Sequence, residues 1–356
     1  ILQYFFRISL TKIVYSAIIL VKGVKKTMRT SNISVFTNGK IFTSDERLPF
    51  ADTMVVQDGR IIWIGCQKDM PIQYSTGKTV VDLEGQRIIP GFVDAHMHPV
   101  MLADFRKKIT AMPPEISSIG DLVQAIRQRR SVQGPGQWIE GWGYDEQGLK
   151  EKRSPTRYDL DRGCSDAPVS IMRTCAHIRC VNSMALKLAG IDRNTPDPPG
   201  GEIERDANGE PTGVLKENAR NLLAPLMPME SADQKVSNLL ELGELLTSQG
   251  VTAICDMGNL DPSDNYPIYE AAVQKGFRQK TGIYYMWDFH ADDPAFQIPK
   301  ERMNRNRQIF AAGLKLIGDG SISGRTAWMN RPYRGATDNY GICVRSDHLI
   351  DTANTV

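Results

Sequence analysis

Two histidines one residue apart, His96 and His98, close an apolar stretch in Ile88–Pro99, IIPGFVDAHMHP. Neutral imidazoles held side by side on rigid backbone suit zinc or another divalent ion. The segment opens on Pro90-Gly91 and runs as a short predicted strand through Phe92, Val93, Asp94 and Ala95. Alternate residues of a strand share a face, so Asp94, His96 and His98 are expected to project one way. A bare H-x-H is commonly a surface pair in a turn; the apolar strand and the Pro-Gly entry favour the metal reading. Lys315 is the second residue of interest, inside the apolar predicted strand of GLKLIGDGSISGRTA (Gly313–Ala327). An ammonium is costly to bury, so this lysine either pairs or snorkels at a rim, or is held with a depressed pKa. In the second case its neutral amine can add carbon dioxide, and the resulting carbamate is an anion able to bridge two metals.

The elements that must position these residues divide by pattern. From Ile33 to Ile89 three hairpin-like units are predicted, turning at Asn38-Gly39, at Asp58-Gly59 and around Gly85, because Asn-Gly and Asp-Gly between apolar runs favour tight turns. Beyond the H-x-H strand, helices and strands alternate, which is the α/β signature. Helices are predicted over Asp121–Arg130, after the N-caps Asn182 or Ser183, after a Ser231/Gln234 capping box with apolar face Val236, Leu239, Leu240 and Leu246, and over Asn265–Lys275. Strands are predicted over Trp138–Tyr144, Pro168–Arg173, Val251–Asp256 and Thr281–Met286, with a hairpin at Asn208-Gly209. The last residues, DHLIDTANTV, read as a helix.

PGFVDAHMHP resembles the first-strand signature of the metal-dependent amidohydrolase superfamily, and GGEI with D-x-x-G-x-P-T-G-V-L in Gly200–Leu215 resembles the branch that includes N-substituted formamide deformylases. The resemblance covers roughly Ile33 to Ile342. It implies a distorted TIM (β/α)8 barrel, here incomplete, with a small β-sandwich domain. The sandwich is expected over 28–89 and the barrel over 90–356, with an insertion around 195–230. It further implies that His96, His98 and a carbamylated Lys315 hold one or two ions, zinc or another divalent metal. Trp142, Tyr144 and Asp145, in a G-x-G-aromatic-Asp segment, become pocket candidates, although core aromatics are the plainer reading. His177, which precedes V-N-S, becomes a candidate substrate contact; Cys175-Ala176 stands where a glycine commonly precedes that histidine. Asp256, at the end of a barrel strand, is a functional candidate because that face carries TIM-barrel active sites. Asp319, Ser321 and Arg325 follow in a Gly-rich loop that binds substrate or merely caps the barrel. Glu217 could face the cleft, but a surface helix position is the plainer reading.

Composition sets bounds. The 356 residues suffice for a TIM-sized domain plus an accessory one. A net charge of +2, from 43 basic and 41 acidic residues, suggests neither nucleic acid nor a polyanion as partner. The six cysteines (66, 164, 175, 180, 255, 343) form no C-x-x-C pair, which fits reduced thiols in a cytoplasmic enzyme. The apolar run Ile13–Val21 is too short to span a bilayer, and residues 1–27 read as an extension ahead of a natural start at Met28, with a secretory signal or surface anchor as the rival reading. The expected partner is a small-molecule substrate, with no membrane and at most a second copy in a homodimer. The family's later histidines and its general-base aspartate find no match: His290 and His348 lie in no such motif, so the chain reads as a fragment. The reading is a metal-dependent hydrolase of non-peptide carbon–nitrogen bonds. Its alternatives are a hydrolase of esters or cyclic amides, and a truncated, non-catalytic binding protein.

Overall fold

The computed structural model describes residues 33–75, 79–258, 263–319, 322, 327–335, 337–341 and 347–354. The expected extension over 1–27, Ser321, Arg325 and Cys343 lie outside the described residues. Seven short strands come first: β1 (Ile33–Thr37), β2 (Lys40–Phe42), β3 (Phe50–Ala51), β4 (Thr53–Gln57), β5 (Arg60–Gly65), β6 (Thr79–Asp82) and β7 (Arg87–Ile88). Next come β8 (Phe92–Met97), α1 (Pro99–Phe105), β9 (Ile109–Thr110), α2 (Ile119–Val132), β10 (Ile139–Tyr144), α3 (Arg157–Gly163), β11 (Val169–Arg173) and β12 (Ile178–Val181). After them follow α4 (Ser183–Leu188), β13 (Gly201–Arg205), β14 (Pro211–Glu217), α5 (Ala232–Ser248), β15 (Val251–Asp256) and α6 (Tyr266–Gln274). The chain then forms β16 (Lys280–Met286), β17 (Ile309–Lys315) and α7 (Asp347–Ala353). Two compact units result: described residues up to His98, with Leu242–Leu316 and those from Thr352, form one, and Pro99–Glu241 with Ile317–Asp351 the other.

The first unit holds two small sheets, β5-β4-β1-β6 and β3-β2-β7, around a shared apolar cluster of Ile41, Ala51, Met54 and Leu83. Only one of the three expected N-terminal hairpins forms there. Asp58 and Gly59, both at positive φ, join antiparallel β4 and β5 as expected. Asn38-Gly39 and Glu84-Gly85 also take positive φ where marked, at Asn38, Glu84 and Gly85, yet the strands they join lie in different sheets. A tight-turn signal fixes backbone angles but not the partner strand. Here β1 pairs in parallel with β6 and β2 in parallel with β7, so the chain switches sheets twice at adjacent corners. The corners are tied together: Leu83 N–H donates to Thr37 O, Gly85 N–H to Asn38 O and Lys40 N–H to Gln86 O.

The same unit carries the parallel sheet β17-β16-β15-β8. Helix α5 leads into β15 and α6 joins β15 to β16; α5 starts at the expected Ser231/Gln234 capping box with both reciprocal bonds made. The inner side of α5 is Val236, Leu239, Leu242 and Leu246, with Leu242 taking the fully buried place expected of Leu240. Together with the parallel strands of the second unit this makes the fold α/β. Each sheet retains two edge strands, and among the described residues none closes into a barrel.

The second unit is built on the sheet β13-β14-β12-β11-β10-β9, parallel from β9 to β11 and antiparallel from β11 to β13. Helices α2 and α3 cover one face through Leu122, Ile126 and Leu160 against Ile139, Val169 and Ile171. The Asn208-Gly209 hairpin is confirmed as the β13–β14 turn, where Asp206 Oδ1 accepts from Asn208 and Glu210 N–H. Gly213 in β14 has φ +93° and its missing Cβ would lie 2.3 Å from Val181 O. Gly213→Ala is therefore expected to cost about 3 kcal/mol of unfolding free energy, read as a lowered urea midpoint. Gly59→Ala, at a positive φ but in open space, is expected to cost only about 1 kcal/mol.

Candidate metal centre

The entry to β8 needs glycine: a Cβ on Gly91 would sit 2.2 Å from Thr252 Cγ2 of β15. Phe92 N–H then donates to Gly250 O, which starts the parallel β8–β15 ladder. His96 lies one residue before the end of β8 and His98 one residue beyond it, with ring centroids 5.9 Å apart. Asp94 turns its carboxylate back to accept His96 N–H at 3.1 Å, which makes it a support for the loop entry. Burial against the strand holds the His96 imidazole below its ordinary pKa, with the Lys315 ammonium and His98 acting in the same direction and Asp94 against it. His98 Nδ1 lies 2.8 Å from the carbonyl oxygen of Gly258.

Lys315 is the last residue of β17, partly buried and in register with Met286 at the end of β16. It lies at the strand's carboxyl end, where the expectation placed it inside the strand. Because the sheet is parallel, this is the end that carries the histidines. β8 and β17 are opposite edges of that sheet, which on a flat sheet would put about 14 Å between them. Two imidazoles and one lysine are a donor set that fits a divalent ion. Among the described residues no group of three or more His, Cys, Asp and Glu is gathered closely enough to hold one.

Asp256 ends β15 as expected, but it is 1% exposed. Its carboxylate accepts from Tyr269 OH at 2.9 Å, from Gly258 N–H at 3.1 Å and from Asn265 Nδ2 at 3.4 Å. Burial raises its pKa against the pull of those donors. Tyr144 is also corrected. Gly143, at φ +98°, puts a bulge between Trp142 and Tyr144. A bulge reverses strand alternation, so Tyr144 joins Ile139 in the core at 0% exposure while Trp142 turns to the other face and stacks on Phe105 at 4.7 Å. Asp145 stays partly exposed, 3.5 Å from Arg173, whose guanidinium is held by Glu146 at 2.8 and 3.0 Å. Asp319 is exposed and accepts Trp328 N–H at 3.0 Å.

His177 is exposed, with Nδ1 3.0 Å from Glu217 Oε2 and its carbonyl accepting Glu217 N–H at 2.8 Å. Glu217 terminates β14 rather than sitting on a helix. Its backbone is at φ 47° and ψ −124°, a region where a side chain is strained. Ala176, beside His177, is also at positive φ.

The sequence pattern of the amidohydrolase family matches residues 79–354 of this chain. The chain belongs to that family. Within the family it is 29% identical over 327 residues to the amidohydrolase YtcJ of Bacillus subtilis, covering 89% of this chain and 60% of that protein. It is 33% identical over 205 residues to the N-substituted formamide deformylase of Arthrobacter pascens, covering 58% of this chain and 38% of that protein. The crystal structure of an uncharacterized metal-dependent hydrolase from Pyrococcus horikoshii matches with a TM-score of 0.66 at 23% identity, over 91% of this chain and 63% of that one. That likeness concerns the fold alone. The chain spans less than two thirds of the length of these two curated relatives, 60% of one and 38% of the other. Among the described residues no helix is long and apolar enough to cross a membrane.

Glu217 is the partner of His177 that sequence reading set aside. Its signal is backbone strain beside a histidine, which residue type and spacing do not carry. Gly258 was passed over for the same reason: its partner His98 is 160 residues away.

Proposed function

We propose that the protein is a metal-dependent hydrolase of non-peptide carbon–nitrogen bonds, with amides or N-substituted formamides as substrates, and that the whole protein forms an amidohydrolase-type TIM barrel. What supports this reading first is the placement of His96, His98 and Lys315 at one end of one parallel sheet. Family membership and the deformylase likeness favour carbon–nitrogen over other bonds. His96 and His98 would hold the first ion, zinc or another divalent metal, and a carbamylated Lys315 would bridge to a second. When bound, such an ion supplies Lewis-acid polarisation of a scissile carbonyl and a lowered pKa for water. The chain's own part is to hold both imidazoles on strand ends, where little reorganisation is needed, and to keep the His96 ring below its ordinary pKa. His177, oriented by Glu217, is assigned to contact the substrate, with Trp142, Asp145, Asp319 and Arg325 as further candidates; buried Tyr144 and Asp256 are withdrawn from that role.

The test uses the protein isolated from its natural source. Exhaustive dialysis against a chelator is expected to abolish hydrolysis of an amide and formamide panel, and added zinc to restore it. Full activity in protein shown to be metal-free would overturn the reading.

A further inference from the structure

We infer that Asp256 is a positioning residue for His98, acting through the Gly258 peptide to fix which imidazole nitrogen is free to bind a metal; the inference rests on the metal reading above. A carbonyl oxygen only accepts, so the 2.8 Å contact with Gly258 O requires the proton of a neutral His98 to sit on Nδ1. The unprotonated Nε2 is then the donor presented outward. In water a neutral imidazole prefers the opposite arrangement, so the direction of the Gly258 carbonyl decides the matter.

The backbone leading into that carbonyl is fixed by hydrogen bonds on the two preceding N–H groups. Gly258 N–H is bound by Asp256 Oδ1 at 3.1 Å, and the preceding Met257 N–H donates to Met97 O, one residue before His98. Gly258 is at φ +82°, and a Cβ there would meet Tyr284 O of β16 at 3.0 Å. Asp256 is itself pinned through its other oxygen by the fully buried Tyr269 on α6, at 2.9 Å. The line therefore runs by hydrogen bonds from Tyr269 on α6 to Asp256 and from Asp256 to Gly258 N–H, crosses the Gly258 Cα, and ends in the hydrogen bond between Gly258 O and His98 Nδ1. Metal-bound histidines generally depend on such an outer partner for ring orientation, and here the partner is a backbone carbonyl whose aim a buried carboxylate sets.

The test has two readouts that do not use activity. Nitrogen-15 spectra of histidine-labelled, metal-free protein at about pH 8, where imidazoles are neutral, are expected to show His98 protonated at Nδ1. In Asp256→Ala the Nε2-protonated form should take over. Competition with a chromophoric chelator should show zinc bound 10- to 100-fold more weakly by Asp256→Ala, roughly the effect of losing an outer partner. Asp256→Asn keeps an oxygen for Gly258 N–H and should stay within about threefold of wild type by the same standard. An Nε2-protonated His98 in wild type, which needs no variant to fold, overturns the inference. Equal zinc affinity in Asp256→Ala and wild type also overturns it, as does an equal loss in Asp256→Asn and Asp256→Ala. A wild-type protein with His98 protonated at Nδ1 that binds no zinc would instead overturn the metal reading and leave the positioning role standing.

Discussion

Replacement of Asn182 by alanine is expected to lower the unfolding free energy by about 4 kcal/mol, among the largest effects of any single polar substitution in the chain. Asn182 is 0% exposed, and its amide is used completely. Oδ1 accepts from Val169 N–H and from Ala185 N–H, both at 3.0 Å. Nδ2 donates to Cys164 O and Ala167 O, both at 2.9 Å. One side chain thus joins the end of α3, the start of β11 and the first turn of α4. Alanine takes the Asn182 partner from two buried N–H groups and two carbonyls, leaving Ala167 O only the weak Cys164 Sγ donor at 3.7 Å, and each loss costs about 1–3 kcal/mol before water or relaxation relieves part of it. The loss of the α4 N-cap alone accounts for about 1 kcal/mol of that sum. Asn182→Asp has the same shape but faces two carbonyls with oxygen and buries a charge, so it should be no better than alanine at neutral pH. A urea midpoint close to wild type for Asn182→Ala would show that these four bonds do not carry the junction.

The N-cap role of Asn182 was legible in the sequence, because capping is local: residue type and the helix that follows suffice. The same holds for the Ser231/Gln234 box, the Asp58-Gly59 and Asn208-Gly209 turns, and β15, whose bounds Val251–Asp256 were read from its apolar run. The other three bonds of Asn182 were not legible, since they reach residues 13 to 18 positions back. Sheet membership failed for the same physical reason. Asn38-Gly39 specifies backbone angles that a hairpin and a sheet-switching corner share, and only the packing of Leu83 beneath Gly39 separates them. At the candidate site the strand end that carries His96 and His98 was readable, because H-x-H behind an apolar strand is a pattern of sequence, whereas Lys315 was expected inside its strand and lies at its end. Whether a side chain faces solvent or core was not. The Gly143 bulge sends Tyr144 inward, and Asp256, which sits where a barrel's reactive face is expected, is sealed under Tyr269. Strain at Glu217 is a property of the folded backbone, and no residue-type rule announces it.

Protein carrying His96→Ala is expected to retain almost no zinc after gel filtration and to keep less than about 1% of the wild-type kcat/KM, since even outer-shell changes at metal sites commonly cost 10- to 100-fold and a ligand must cost more. The described residues offer few donors there: two imidazoles and one lysine at the carboxyl ends of β8 and β17. Removing His96 leaves His98 as the sole histidine of the pair, and a lone imidazole holds a divalent ion weakly. Lys315→Ala separates the two forms of the proposal. If Lys315 is carbamylated and bridges, wild type should carry close to two ions per chain, Lys315→Ala close to one, and its kcat/KM should fall more than about 100-fold. If Lys315 stays an ammonium beside His96, the metal content should not fall. The His96 imidazole, relieved of a neighbouring positive charge that helps hold its pKa down, should then regain part of its proton affinity. Metal analysis of wild type, His96→Ala and Lys315→Ala, each confirmed folded by circular dichroism, decides between them. Undiminished zinc and activity in His96→Ala would sink the assignment of this strand end as the metal centre.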